Sequence, residues 1–163
     1  MPSHISFDPD DPDDCKRAID ELKEVIWTSY GAAAVRGLFA DATPSRREVK
    51  ADKSAFLLAD YLHDHKLHGW GVKRCAKDFA NTNKRLPREW RVGPSGSTDP
   101  GAMEKQLSRL IKRMGKDRAY REFIENYAAE RYLPVKVLIM CNDPLFQKFI
   151  LEEGPRLART FQT

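Results

Sequence analysis

Two sets of cations at helical spacing are the residues most able to do chemistry. Lys73, Arg74, Lys77 and Lys84, with Asn81 among them, fall in one stretch, and Lys105, Arg109, Lys112 and Lys116 in another. Cations repeated every three or four residues suit phosphate, because each one neutralises a charge and releases a condensed counterion. An asparagine in such a row can also read a base edge. The formal net charge of +4 understates the concentration. Residues 66–118 hold fourteen basic and five acidic side chains, a net of +9, whereas residues 1–30 hold eight acidic and three basic ones. Segments 31–65 and 119–163 each balance to zero. A focused basic region attracts a polyanion more strongly than the same charge spread evenly, and the acidic N-terminus would compete for it. Three readings fit the stripes: contact with DNA or RNA, docking of an acidic protein, or plain solvation of the outer faces of core helices.

A second group of residues points to catalysis. Leu62-His63-Asp64 followed by His65-Lys66 resembles the Leu-His-Asp-x-x-Lys neighbourhood of HD-type metal-dependent phosphohydrolases, an all-helical family. The resemblance implies that the doublet, an earlier histidine and a later aspartate hold metal ions that activate water for phosphoester hydrolysis. Here the only upstream histidine is His4, and the lysine arrives one residue early. His63 and His65 would point about 200° apart on a helix, so they cannot share an ion with His68 and Cys75. The expectation is a partly buried His65 with His63 and His68 exposed. No glycine-rich phosphate loop, nucleophile elbow or Cys/His pair is visible, so no catalytic residue, metal ligand or cofactor is assigned.

Bulk properties set the frame for these groups. A chain of 163 residues with 41% hydrophobic and 32% charged side chains can bury its own core. Residues 1–10 read as a flexible acidic arm and 11–163 as one helical domain. Cys15, Cys75 and Cys141 form no CxxC pair, which suits a reducing, cytoplasmic setting. The longest apolar run, Val137 to Cys141, is too short to span a bilayer, so no membrane contact is expected. Nothing in the pattern fixes an oligomeric state.

The elements that must position the cations are predicted to be all α, six to eight helices in a compact domain. Asp11-Pro12, Asp99-Pro100 and Asp143-Pro144 each pair a capping carboxylate with a proline at the first helical position. Ser45 and Glu48 form a capping box that opens a helix to about Lys66, with a buried stripe of Leu58, Tyr61, Leu62 and His65 beside Leu57. Gly31 ends or kinks the first helix, and a short one follows to about Ala40. Thr43-Pro44 marks a break. Val72 to Arg85 packs Val72, Cys75, Ala76 and Phe79 and leaves the first basic stripe outside. The following loop is pinned by Trp90 and Val92, with Glu89 to Val92 as a short extended piece. The helix from Pro100 to about Met114 buries Met103, Leu107, Leu110 and Met114 and carries the second stripe outside. Tyr120, Phe123, Ile124 and Tyr127 form the inner face of the next helix. Leu133-Pro134 interrupts it, Val135 to Cys141 reads as a buried helix, and Gly154-Pro155 ends the last one.

The helix ending near Lys66, the glycine-containing turn and the basic helix from Val72 suggest a helix-turn-helix-like pair. A second register would place the turn at Asn81-Thr82-Asn83, with Pro87 inside its second helix. Trp70 and Trp90 read as core anchors, so no aromatic platform for single strands is expected. Phe146, Phe149 and Phe161 are expected to pack inward, and otherwise would supply a protein-docking patch. The functional expectation is therefore a nucleic-acid-binding helical protein, with an interaction module and the phosphohydrolase as alternatives.

Overall fold

The computed structural model describes residues 4–39 and 44–162. They form eight α-helices: α1 (Pro12–Tyr30), α2 (Ala32–Leu38), α3 (Arg46–His68), α4 (Val72–Arg85), α5 (Pro100–Lys116), α6 (Arg118–Glu130), α7 (Tyr132–Cys141) and α8 (Pro144–Phe161). No strand occurs among the described residues. The all-α prediction holds, and its local start signals explain why. Asp11, Asp99 and Asp143 each accept first-turn amide hydrogens ahead of a proline, and Ser45 and Glu48 complete the reciprocal capping box. The predicted break at Thr43 lies outside the described residues.

The organising element is α3. Ala55 to Asp60 are six consecutive buried residues, so this helix is covered on every side, by α2, α4, α5, α6 and α7. Leu57, Leu58, Met103, Leu107 and Ile124 are fully buried around it. Such a helix gives no amphipathic stripe, which is why the predicted line through His65 fails: His65 is exposed, and its Nδ1 lies 2.8 Å from the Trp70 carbonyl at the turn. Gly31 lets α1 turn sharply into α2 at φ +89°, where a Cβ would collide with the Asp52 carboxylate. That carboxylate accepts the Ala33 amide hydrogen at 3.2 Å and so caps α2 from across the fold.

Three local expectations are corrected. Leu133-Pro134 does not interrupt; Pro134 sits in the first turn of α7, where an amide hydrogen has no partner to lose. Pro155 does not end α8, which continues to Phe161 with the proline inside it. The segment after α4 is a 3₁₀ turn over Arg88–Trp90 rather than an extended piece, although Trp90 and Val92 are buried as expected. The helix α7 is less buried than its composition suggests. Tyr132 and Val135 face inward, while Leu133 and Val137 are exposed. Among the described residues α8 buries nothing: Leu145, Phe149, Ile150, Leu151 and Phe161 all face outward. The inward packing expected of Phe149 and Phe161 is therefore overturned.

Candidate nucleic-acid interface

The α4 stripe is laid out as its spacing requires. Lys73, Lys77, Asn81 and Lys84 are exposed, opposite the buried Cys75, Ala76, Phe79 and Ala80. Arg74 lays its guanidinium over the Trp70 ring at 4.3 Å. On α5, Lys105, Lys112 and Lys116 are exposed on the side away from Met103 and Leu107. The helices α4 and α5 pack along one another far more extensively than α4 does on α3. The turn between α3 and α4 is Gly69-Trp70-Gly71, three residues long. Because α4 is continuous to Arg85, the register with a turn at Asn81-Thr82-Asn83 does not occur.

Arg109 joins a groove of about 760 Å³ walled by Arg47, Lys50, Ala51 and Ser54 of α3 and by Gln106, Arg109, Leu110 and Arg113 of α5. Tyr120 and Phe123 of α6 line it as well, and Pro94 and Ser95 close one edge. Through Lys50 and Pro94 the groove runs into a depression lined by Arg36, Arg46, Val49 and Lys53. That depression shares Arg36, Lys53 and Pro94 with a third, which adds Arg88 and Arg91. Of the sequence-predicted residues, Arg109 alone lines this surface.

Electrostatics along the surface are one-sided. Among the described residues, Arg36, Arg46, Arg47, Lys50, Lys53, Arg88, Arg91, Arg109 and Arg113 form no ion pair. Among the described residues the carboxylates in the lining are Glu89 and Asp117, and Asp117 is occupied in capping α6 through the Tyr120 amide at 3.1 Å. Burial pushes the Lys53 ammonium below its ordinary pKa; Glu89 opposes the shift, and the Arg88 and Arg91 charges add to it. The Nε of Arg91 is buried without a hydrogen-bond partner.

The edge loop is held from beneath by α4. Asn83, fully buried, donates to the carbonyls of Val92 and Ser97 at 2.8 Å each and accepts the Val92 amide hydrogen at 2.6 Å. Gly96 then closes the turn at φ +59°, where a Cβ would lie 2.9 Å from that of Arg91. Pro94 and Ser95 are thereby set against α3 and α5, with Ser95 accepting from Gln106.

The histidine–aspartate doublet lies elsewhere, beside a buried ion pair. Asp60 is 2% exposed and accepts the Tyr132 hydroxyl at 2.5 Å, and its two oxygens lie 3.2 Å from Lys136 Nζ. Burial and the neighbouring Asp60 raise the Asp64 carboxyl above its ordinary pKa. His63 Nδ1 stands 3.5 Å from Asp64, its ring against Tyr132. Burial, with Asp64 and Asp60 nearby, pushes the Cys75 thiol up to about 11, so it is a poor nucleophile. Among the described residues no group of three or more His, Cys, Asp and Glu side chains could hold a metal ion. This cluster fastens α7 to α3.

No described helix is long and apolar enough to cross a membrane. Comparison with known proteins gives no match: no family model, no curated protein and no solved structure matches the chain.

Proposed function

We propose that the protein binds nucleic acid by gripping backbone phosphates in the groove between α3, α5 and α6. The observation that carries this reading is the convergence of nine cations, from α2, α3, α5 and the loop after α4, on one surface, none of them in an ion pair among the described residues. Solvated helix faces need no such convergence, and an acidic protein would meet it with fewer charges per unit length than a phosphate backbone. The exposed lysines of α4 and outer α5 add long-range attraction around the groove. A three-residue turn is usual for a helix-turn-helix, but α4 lies along α5, so we assign it to steering rather than base reading. The test is a fluorescence-anisotropy titration with a labelled mixed-sequence oligonucleotide, single- and double-stranded, at low and moderate salt. A single strand held by about four phosphates should weaken on the order of fiftyfold for a fourfold rise in salt. No binding to either form at low salt overturns the reading.

The outward face of α8 supports a second reading, an interaction module without chemistry, with a second copy of this chain as the occupant. Ile150 is 45% and Phe161 88% exposed on one side of the helix, and an apolar face of this kind needs an apolar counterpart. The charges of α8 oppose self-association little, because Lys148 pairs with Glu152 and Arg156 with Glu153 within the helix, leaving Arg159 in the last turn. Sedimentation velocity over a concentration series checks it. Dimers that Ile150→Glu with Phe161→Glu dissociates are expected, and a monomer throughout removes the reading.

A further inference from the structure

We infer that the groove takes single-stranded nucleic acid, with a base laid against Phe123 and the Arg113 guanidinium and the phosphates between the α3 and α5 walls; this rests on the groove being a nucleic-acid site. Shape is the first argument. Duplex DNA is met by elements that project into its grooves. Here the cations are recessed in a concavity of about 760 Å³, a size that suits nucleotides rather than a duplex cylinder. The track then continues through Lys50 and Pro94 to Arg36, Lys53, Arg88 and Arg91, which asks for a strand rather than one mononucleotide.

The lining between the cations is the second argument. Phe123 is 40% exposed on a helix whose other aromatics, Tyr120 and Tyr127, are buried. Its ring centroid lies 6.2 Å from that of Tyr120, and the Arg113 guanidinium covers Tyr120 at 4.0 Å. Aromatic rings and guanidinium planes are the surfaces on which unstacked bases lie, whereas a duplex keeps its base faces hidden. The Tyr120 hydroxyl and Gln106 Oε1, both within the lining, are buried without hydrogen-bond partners, leaving a donor and an acceptor suited to a base edge.

The test uses the full chain and four probes in anisotropy titrations. They are a labelled twelve-nucleotide strand, the same sequence as a duplex, the same strand with abasic sites, and inorganic polyphosphate as competitor. The intact strand is expected to bind at least about tenfold tighter than the duplex or the abasic strand. Phe123→Ala should lose about tenfold for the intact strand and little for the abasic one, while Phe123→Tyr restores binding. Phe123 is partly exposed, so thermal melts of both variants are expected to match the parent. Equal affinity for duplex, equal affinity for the abasic strand, displacement by polyphosphate at equal phosphate concentration, or an unaffected Phe123→Ala would each overturn single-strand binding while leaving phosphate binding intact. Absence of binding to every form overturns the underlying reading as well.

Discussion

The outer face of α4 and the groove are both basic, yet they are built in opposite ways. The α4 face takes Lys73, Lys77 and Lys84 from one helix, set by spacing alone, and they stand in solvent around nothing. The groove takes its cations from segments as distant as Arg36 and Arg113 and sets them on facing walls. A stripe on one convex helix spreads its charges outward, whereas facing walls direct theirs at a common space. The difference teaches that charge density along a chain is a poor guide to charge density in space. The most basic segment contributes Arg109 and Arg113 to the groove and Arg88 and Arg91 to the depression continuous with it, but its α4 lysines stay outside.

The contrast can be broken at several points. The largest effect is expected at Asn83, where α4 acts on the groove through its inner face. Asn83→Ala strands a buried amide hydrogen and removes bonds to two carbonyls, costing about 3 kcal/mol in urea unfolding and loosening the Pro94–Ser95 edge. Next come paired charge reversals. Arg47→Glu with Lys50→Glu should weaken nucleic-acid binding on the order of a hundredfold at low salt, and Lys73→Glu with Lys77→Glu only about threefold. Equal losses would erase the distinction between the two surfaces.

A smaller effect separates the cations of α4 from one another. Arg85, unlike the outer lysines, binds Asp143 at 3.1 Å and so ties α4 to the start of α8. Burial pushes the Asp143 carboxyl up, but the Arg85 bond and the Leu145 amide outweigh it and hold it below its ordinary value of 3.8. A lowered folded pKa means the contribution is complete above that value and is lost as pH falls through the folded pKa. Thermal melts should therefore show an acid limb below about pH 4 that Asp143→Asn flattens, with Lys77→Ala leaving it unchanged.

Much of the frame was legible because it is written in local chemistry. The bounds of α4 follow from Gly71 and Leu86-Pro87, and the Asp-Pro and Ser45–Glu48 caps place α1, α3, α5 and α8. The groove was not legible, because residues 31–65 sum to zero charge while separating it in space. Arg46, Arg47, Lys50 and Lys53 line the basic depressions, whereas Asp52 turns to α2 and Asp60 and Asp64 lie on the α7 side. The signal that would have found it is the spacing of Arg46, Lys50 and Lys53, within about 60° on a helical wheel. Phe123 was misread for a related reason. Its place on the apolar arc of α6 is real, but the side of the arc it occupies faces the groove rather than Ile124's core. Pro155 and Pro134 show that a proline marks a boundary only where the backbone around it has another option.

The crowding around Lys53 also says where selection for stability and selection for use part company. A lysine whose charge is disfavoured by burial, beside Arg91 with its unpartnered buried nitrogen, is held by the fold against its own electrostatics. Lys53→Met keeps the buried stem and removes the charge, so it is expected to melt a few degrees higher than the parent while gripping an oligonucleotide less well. A lineage without the proposed ligand would drift toward such a residue, trading grip for a more stable molecule.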